Sequence, residues 1–302
     1  MNIEYSICIV SHNRKNDLHD NLIRLLAVFK SGSEIIVGLD GCTDDSISLK
    51  CLFPEVIFVE FNQRLWPSVA RRHVMALAKG QYIFGFDDDS YPVNKDITSK
   101  IINYFNQNPQ VGILAFRLFN GLDLPDNDVL FNGDVNPYMC SEFPAGACVF
   151  RKNVYETTGG YPIWMTIYGE ESYVSMRCYE LGYCIHYFPE ILVHHKTDVS
   201  IKINSNYPEF RLENQVRNGL LIILLTYPFP NFIFLSLKLF WHNVLKYAIK
   251  SRRKFIAIMR GIGSATYLLI FHRFREKRIS KATFKNLRNL PLPFYNWKPP
   301  ER

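Results

Sequence analysis

Three consecutive carboxylates, Asp87-Asp88-Asp89, follow the apolar run Gln81 to Phe86. At the end of a buried strand they repel one another, which raises their pKa values unless a cation sits among them. A hard divalent ion with oxygen ligands, Mg²⁺ or Mn²⁺, shared with phosphate oxygens, resolves that repulsion most simply. A solvated acidic loop is the plainer alternative. Two further polar clusters also close apolar runs: Ser11-His12-Asn13-Arg14 after Ser6 to Val10, and Asp40 to Asp45 after Glu34 to Leu39.

The elements that must carry these clusters can be read from periodicity. Ser6 to Val10 is a short continuous apolar run, as expected of a strand buried on both faces. Leu18, Leu22, Leu25, Leu26 and Phe29 then recur at helical spacing. Strands are expected at Glu34 to Leu39, Val56 to Phe61, Gln81 to Phe86 and Val111 to Arg117. Helical faces are expected at Val69, His73, Leu77 and Ala78, and at Ile97, Ile101 and Phe105. Strands alternating with helices predict an α/β fold, a doubly wound and mostly parallel sheet flanked by helices. Such sheets bind ligands at the carboxyl ends of their strands, where all three polar clusters fall.

Composition excludes disorder, collagen and small disulfide scaffolds: 302 residues, 48% hydrophobic and 15% aromatic, suffice for one large or two small cores. Charge is distributed unevenly within the net +7. Residues 238–302 hold sixteen Lys/Arg against Glu276 and Glu301, a net +14, so residues 1–237 carry −7. A basic tail suits an anionic membrane surface or a nucleic acid, and an acidic, strand-rich front half suits neither. Seven cysteines without a CxxC pair read as free buried thiols of a reducing compartment. The segment Met1-Asn2-Ile3-Glu4-Tyr5 has no basic n-region and no signal peptide is read, so a cytoplasmic location is expected.

Five motifs in order resemble family 2 glycosyltransferases. Ser6-Ile-Cys-Ile-Val-Ser-His-Asn-Arg14, then Glu34-Ile-Ile-Val-Gly-Leu-Asp-Gly-Cys-Thr-Asp-Asp-Ser46, then Ala70 through Asp89 resemble that family's opening. Phe143-Pro-Ala-Gly-Ala-Cys-Val-Phe-Arg151 with Gly159-Gly160-Tyr161 is similar to its acceptor-side strand and turn. Gly169-Glu170-Glu171, and Pro189 followed by His194-His195, resemble its last two active-site elements. The resemblance covers about residues 4–200 and implies a GT-A (Rossmann-like) domain over residues 1–205, followed by a helical, basic and apolar C-terminal extension over 206–302.

The resemblance also implies roles. Ser11, His12 and Arg14 fall where the family holds the nucleotide-sugar, Asp40 where a carboxylate reads the base, Asp88 at the ribose and Arg71 near the diphosphate, with Arg72 in place of a more usual Asn. Asp87 and Asp89 correspond to the Asp-x-Asp metal pair. His195 matches the metal histidine, since a neutral imidazole completes a shell left open by carboxylates and phosphate; His194, its strand neighbour, is expected to face the other way. Glu171 matches the catalytic base, with Glu170 beside it as the other candidate. A carboxylate there takes the proton of an attacking acceptor hydroxyl. An acidic first helical turn is the structural alternative for the pair.

The expected activity is inverting, metal-dependent transfer of a hexosyl or deoxyhexosyl group (EC 2.4 type) from a nucleotide-sugar to a glycan or lipid-linked glycan, similar to bacterial polysaccharide and rhamnosyl-type enzymes. A catalytically inactive nucleotide- or glycan-binding scaffold of the same fold is the alternative. Gly219 to Trp241 is apolar but interrupted by Pro228 and Pro230, so a break is expected near its middle. An amphipathic helix through Leu237, Phe240, Trp241, Val244 and Leu245, with Lys238, Lys246 and Lys250 outside that set, predicts peripheral contact with the inner face of the cell membrane rather than a span. No nucleic acid is expected, because the aromatics there sit among aliphatics in helical runs.

Overall fold

The computed structural model describes residues 3–124, 136–197 and 208–294. Its centre is a nine-stranded sheet in the order β3-β2-β1-β4-β8-β6-β9-β5, with β7 also paired to β9. The first strands are β1 (Tyr5–Ser11), β2 (Ser33–Asp40), β3 (Ile57–Phe61) and β4 (Tyr82–Asp87), all parallel. Helices α1 (Lys15–Val28), α2 (Leu49–Leu52) and α3 (Trp66–Met75) connect them. Leu18, Leu22 and Leu25 bury the predicted face of α1 against the sheet. Of the expected α3 set, Ala78 is buried and Val69 half-buried, but His73 and Leu77 are exposed, and Ala70 and Val74 point inward instead. Gly38 is the reason, since a Cβ there would lie 2.6 Å from Val74 Cγ2, so its absence lets α3 settle closely on β2.

The second half of the sheet is mixed. β8 (Ala147–Arg151) lies antiparallel between β4 and β6 (Val111–Asn120), and β9 (Cys184–His195) runs parallel to β6. The short strands β5 (Ser90–Pro92) and β7 (Tyr138–Met139) pair antiparallel with β9. The predicted α/β class holds, with parallel order confined to β1–β4 and the β6–β9 pair. Helix α4 (Ile97–Gln107) buries Ile97, Ile101 and Phe105 as its spacing predicts. Phe29, Phe84, Phe86, Tyr82 and Phe105 stack in the core on one face of the sheet, so part of the aromatic content is structural. All seven cysteines are free, five of them buried.

Two features of this topology bring distant segments to the carboxyl ends of β1, β2 and β4. Antiparallel β8 sets Ala147 opposite Phe86, which lays Gly146 against Asp87. The β5–β9 pairing sets Ser90 opposite His195, one step beyond the acidic triplet.

Helices α5 (Lys152–Thr158) and α6 (Glu170–Glu180) cover the sheet's other face, followed by α7 (Glu209–Thr226), α8 (Asn231–Lys246), α9 (Arg252–Phe271) and α10 (Lys281–Asn289). Leu221, Ile222, Ala265, Ile279 and Phe284 share an apolar cluster with Tyr161, Met165 and Val174 beneath the sheet. The expected division at 205/206 lies outside the described residues. The break expected within 219–241 occurs between Thr226 and Asn231. Among the described residues, the helix long and apolar enough to cross a membrane is instead α9, which the sequence reading did not single out.

Candidate active site

Asp87 ends β4 with every backbone group fixed. Its N–H donates to Ser90 Oγ at 2.7 Å and its carbonyl accepts from Asn21 Nδ2 at 3.0 Å, while the Ser90 hydroxyl donates to Gly146 O at 2.8 Å. The carboxylate lies over Gly146, where a Cβ would sit 2.2 Å from Asp87 Oδ2; only glycine leaves that space. Asp89 Oδ1 lies 3.1 Å from His195 Nε2, and ligand atoms of Asp87, Asp89 and His195 all fall within 4.8 Å of one another.

This trio fits a divalent cation. Buried Asp89 Oδ1 has no hydrogen-bond partner, since the nearby His195 nitrogen is off the geometry for donation. A buried oxygen left so costs about 1–3 kcal/mol. His195 Nδ1 lies 2.8 Å from Asn120 Oδ1. The amide oxygen accepts only, so Nδ1 donates to it, which orients the ring with Nε2 toward Asp89 Oδ1. Asn120 was missed in the sequence; nothing local to β6 marks it. Asn120→Leu is expected to weaken Mn²⁺ binding about 10–100-fold while Asn120→Asp retains it, measured by paramagnetic resonance of free Mn²⁺ in a titration.

Two arginines counter the acidic cluster. Arg14 donates to Asp88 Oδ1 at 2.6 Å and Asp89 Oδ2 at 2.7 Å, and Arg71 to Asp87 Oδ1. Ser11 Oγ donates to Asp88 Oδ2 at 2.7 Å. Burial, with repulsion from Asp89 and Asp87, pushes Asp88 up to about 7 against the pull of Arg14 and Ser11. Burial also works to raise Asp89, but His195 and Arg14 outweigh it and hold that carboxyl below its usual range. Arg72 turns away from this cluster and bonds the carbonyls of Gly159 and Tyr161, so of the two arginines Arg71 serves the site.

Asp40 and His12 stand at the β2 end. His12 Nδ1 donates to Asp40 O at 2.6 Å, and the Asp40 oxygens accept from the N–H groups of Leu65 and Trp66 at 2.6 and 2.9 Å. Asp40 therefore caps the start of α3 and so helps fix Arg71. His194 faces the other way, as expected, between Tyr91 OH at 2.7 Å and Gly121 O at 2.8 Å.

Glu170 and Glu171 open α6. Gly169 precedes them with φ +94°, and a Cβ on it would lie 2.8 Å from Ile222 Cδ1, so glycine alone allows the helix to start there. Glu170 is buried, 4.0 Å from Arg71, with Oε2 unpartnered. Burial raises its pKa against the pull of Arg71. Glu171 is pushed up to about 8 by burial and by repulsion from Glu170. Both line one cleft of about 460 Å³ together with Arg71, Asp87, Gly146 and His195. Glu142, a further carboxylate of that cleft, was also missed; it accepts from Ser172 Oγ.

A Rossmann-like sheet whose strand ends gather an Asp-Asp-His group beside a glutamate pair defines the GT-A class of nucleotide-sugar folds. Residues 6–131 match the family model of glycosyl transferase family 2. Over those 126 of 302 residues the chain is similar to that family. Among solved structures, S. aureus TarS 1–349 in complex with UDP-GlcNAc superposes with TM-score 0.60 at 14% identity, over 87% of this chain and 82% of that one. The mannosyltransferase PcManGT from Pyrobaculum calidifontis, in complex with GDP-Man and Mn²⁺, gives 0.57 at 14% identity, over 95% and 79%. GalNAc-T7 with UDP, GalNAc and Mn²⁺ gives 0.60 at 12% identity, over 89% and 58%. At such identities the likeness is one of fold. No curated protein matches the chain.

Proposed function

We propose that the protein is an inverting, divalent-metal-dependent glycosyltransferase that moves a hexosyl or deoxyhexosyl group from a nucleotide-sugar to a glycan or lipid-linked glycan, in the building of bacterial surface polysaccharide. The observation that carries this reading is the convergence of Asp87 and His195 with Glu170 and Glu171 on one cleft, with Asp89 grouped beside Asp87 and His195 at its edge. Structural neighbours holding UDP-GlcNAc or GDP-Man support a nucleotide-sugar donor, and those holding Mn²⁺ support Mn²⁺ or Mg²⁺ as the ion.

In this mechanism Asp87, Asp89 and His195 hold the cation, and Arg71 faces the diphosphate. When bound, the ion neutralises charge on the departing nucleoside diphosphate. Ser11, His12, Arg14, Asp40 and Asp88 form the nucleoside side of the site. Glu170, tied to Arg71, stays in place as a negative neighbour that keeps Glu171 avid for a proton. Glu171 then takes the acceptor hydroxyl proton as that oxygen attacks the anomeric carbon. One displacement inverts the configuration, and no sugar becomes attached to the protein.

The C-terminal region supports a second partner. Helix α8 exposes Phe234, Leu237, Trp241 and Leu245 on one flank, and residues 238–302 carry a net +14. We read residues 206–302 as a helical C-terminal region that rests on the inner, anionic face of the cell membrane, with the catalytic domain on the cytoplasmic side.

A panel of UDP-, GDP- and dTDP-sugars tests the reading. At least one donor is expected to raise the thermal unfolding midpoint only with Mn²⁺ and to release its nucleoside diphosphate under the same condition. Protection without any Mn²⁺-dependent release would favour the inactive scaffold.

A further inference from the structure

Helix α3 carries consecutive arginines to two different cavities: Arg71 lines the catalytic cleft, and Arg72 lines a second cavity of about 610 Å³. Between the Thr157–Gly160 turn, α6 and residues 272–277, that cavity gathers Arg72, Arg177, Arg273, Arg275 and Lys277. None of the five forms a salt bridge with a carboxylate among the described residues. Glu276 is the one acid lining it, and its oxygens are occupied: Oε1 accepts from Trp164 Nε1 at 2.6 Å and Tyr173 OH at 3.4 Å, and Oε2 from the Arg275 N–H at 2.8 Å. Trp164 and Tyr173, in edge contact at 5.6 Å, are both buried beneath it.

Five cations converging on one concavity repel each other unless an anion joins them. Apolar side chains at and near the cavity say what kind. Ile163 lines it and is 59% exposed, and Ile270 and Phe271, 67% and 70% exposed, end α9 immediately before the basic segment that lines it. A phosphate ester with hydrocarbon attached satisfies both halves, whereas a free anion satisfies one.

We propose that this cavity holds the phosphate headgroup of an anionic phospholipid, with Ile163, Ile270 and Phe271 against the acyl chains. The inference rests on the membrane part of the function proposed above and specifies where that contact is made. Because α3 separates the headgroup from the donor cleft, docking would hold the catalytic carboxylates at a fixed setting relative to the bilayer surface.

The test uses the full chain and phosphatidylcholine vesicles with or without phosphatidylglycerol in a flotation assay. Arg273→Glu with Arg275→Glu and Lys277→Glu is expected to weaken binding to phosphatidylglycerol vesicles by roughly a hundredfold. Lys281→Glu with Lys285→Glu and Arg288→Glu changes the net charge equally on α10 and is expected to weaken it by no more than about threefold. All six positions are exposed, and thermal unfolding checks that each variant folds. Equal losses in the two triple variants, or none in the first, would overturn the cavity assignment and leave membrane contact standing. Failure of the unaltered chain to float would remove the membrane reading itself. Ile270→Ser with Phe271→Ser is expected to weaken flotation without altering charge; unchanged flotation would overturn the lipid as occupant in favour of a free anion.

Discussion

Glu171→Gln is expected to lower kcat by about 10²–10⁴-fold, the usual worth of a positioned general base. Glutamine keeps the shape of the side chain and cannot accept the proton. The pH profile adds a second signature. Burial and Glu170 push Glu171 up to about 8, so kcat/KM for the native enzyme is expected to rise as pH passes through that value. Stability moves the other way. A carboxyl with a raised pKa in the fold contributes stability while protonated, present in full below its unfolded value and lost as pH rises through about 8. Glu171→Gln removes that loss and relieves repulsion with Glu170, so the variant is expected to unfold at a higher temperature than the native protein at pH 9. Full turnover by Glu171→Gln would contradict the base assignment.

Asp89→Ala is expected to lower Mn²⁺-dependent turnover by about 10³-fold, the scale of several kcal/mol of charge stabilisation. It should also abolish the Mn²⁺-dependent part of nucleotide protection against heat. Both effects have one origin, since Asp89 supplies the unpartnered Oδ1 beside His195. The fold should survive, because Arg14 keeps Asp88 and Asp17 as partners. Unchanged Mn²⁺ dependence in a folded Asp89→Ala protein would count against the metal site.

Much of this arrangement is legible in the chain. β1, β2 and β4 announce themselves as continuous apolar runs closed by polar clusters, and α1 and α4 as regular apolar spacing. The direction of β8 is not legible, since the apolar run Phe143 to Arg151 reads alike in either sense, and that direction is what lays Gly146 under Asp87. The buried face of α3 was partly misread because it depends on a missing Cβ at Gly38 in another element. Adjacent residues on a helix point about 100° apart, so sequence cannot say which of Arg71 and Arg72 meets the acidic cluster. Asn120 and Glu142 act through long-range pairings that no local pattern records. Helix α9 escaped notice because Arg252, Arg253, Lys254 and Arg260 dilute an otherwise apolar stretch, whereas Gly219 to Trp241 drew attention by its lack of charge.

The central claim is that Asp87, Asp89 and His195 hold a divalent cation next to the glutamate pair. Anomalous diffraction from crystals grown with Mn²⁺ and a nucleoside diphosphate tests it most directly. The account predicts one strong Mn²⁺ peak in contact with Asp89 and His195 Nε2, with diphosphate oxygens on its remaining side and Glu171 facing the same cleft. A peak bound elsewhere, or diphosphate seated in the cleft with no ion against those three side chains, would contradict it.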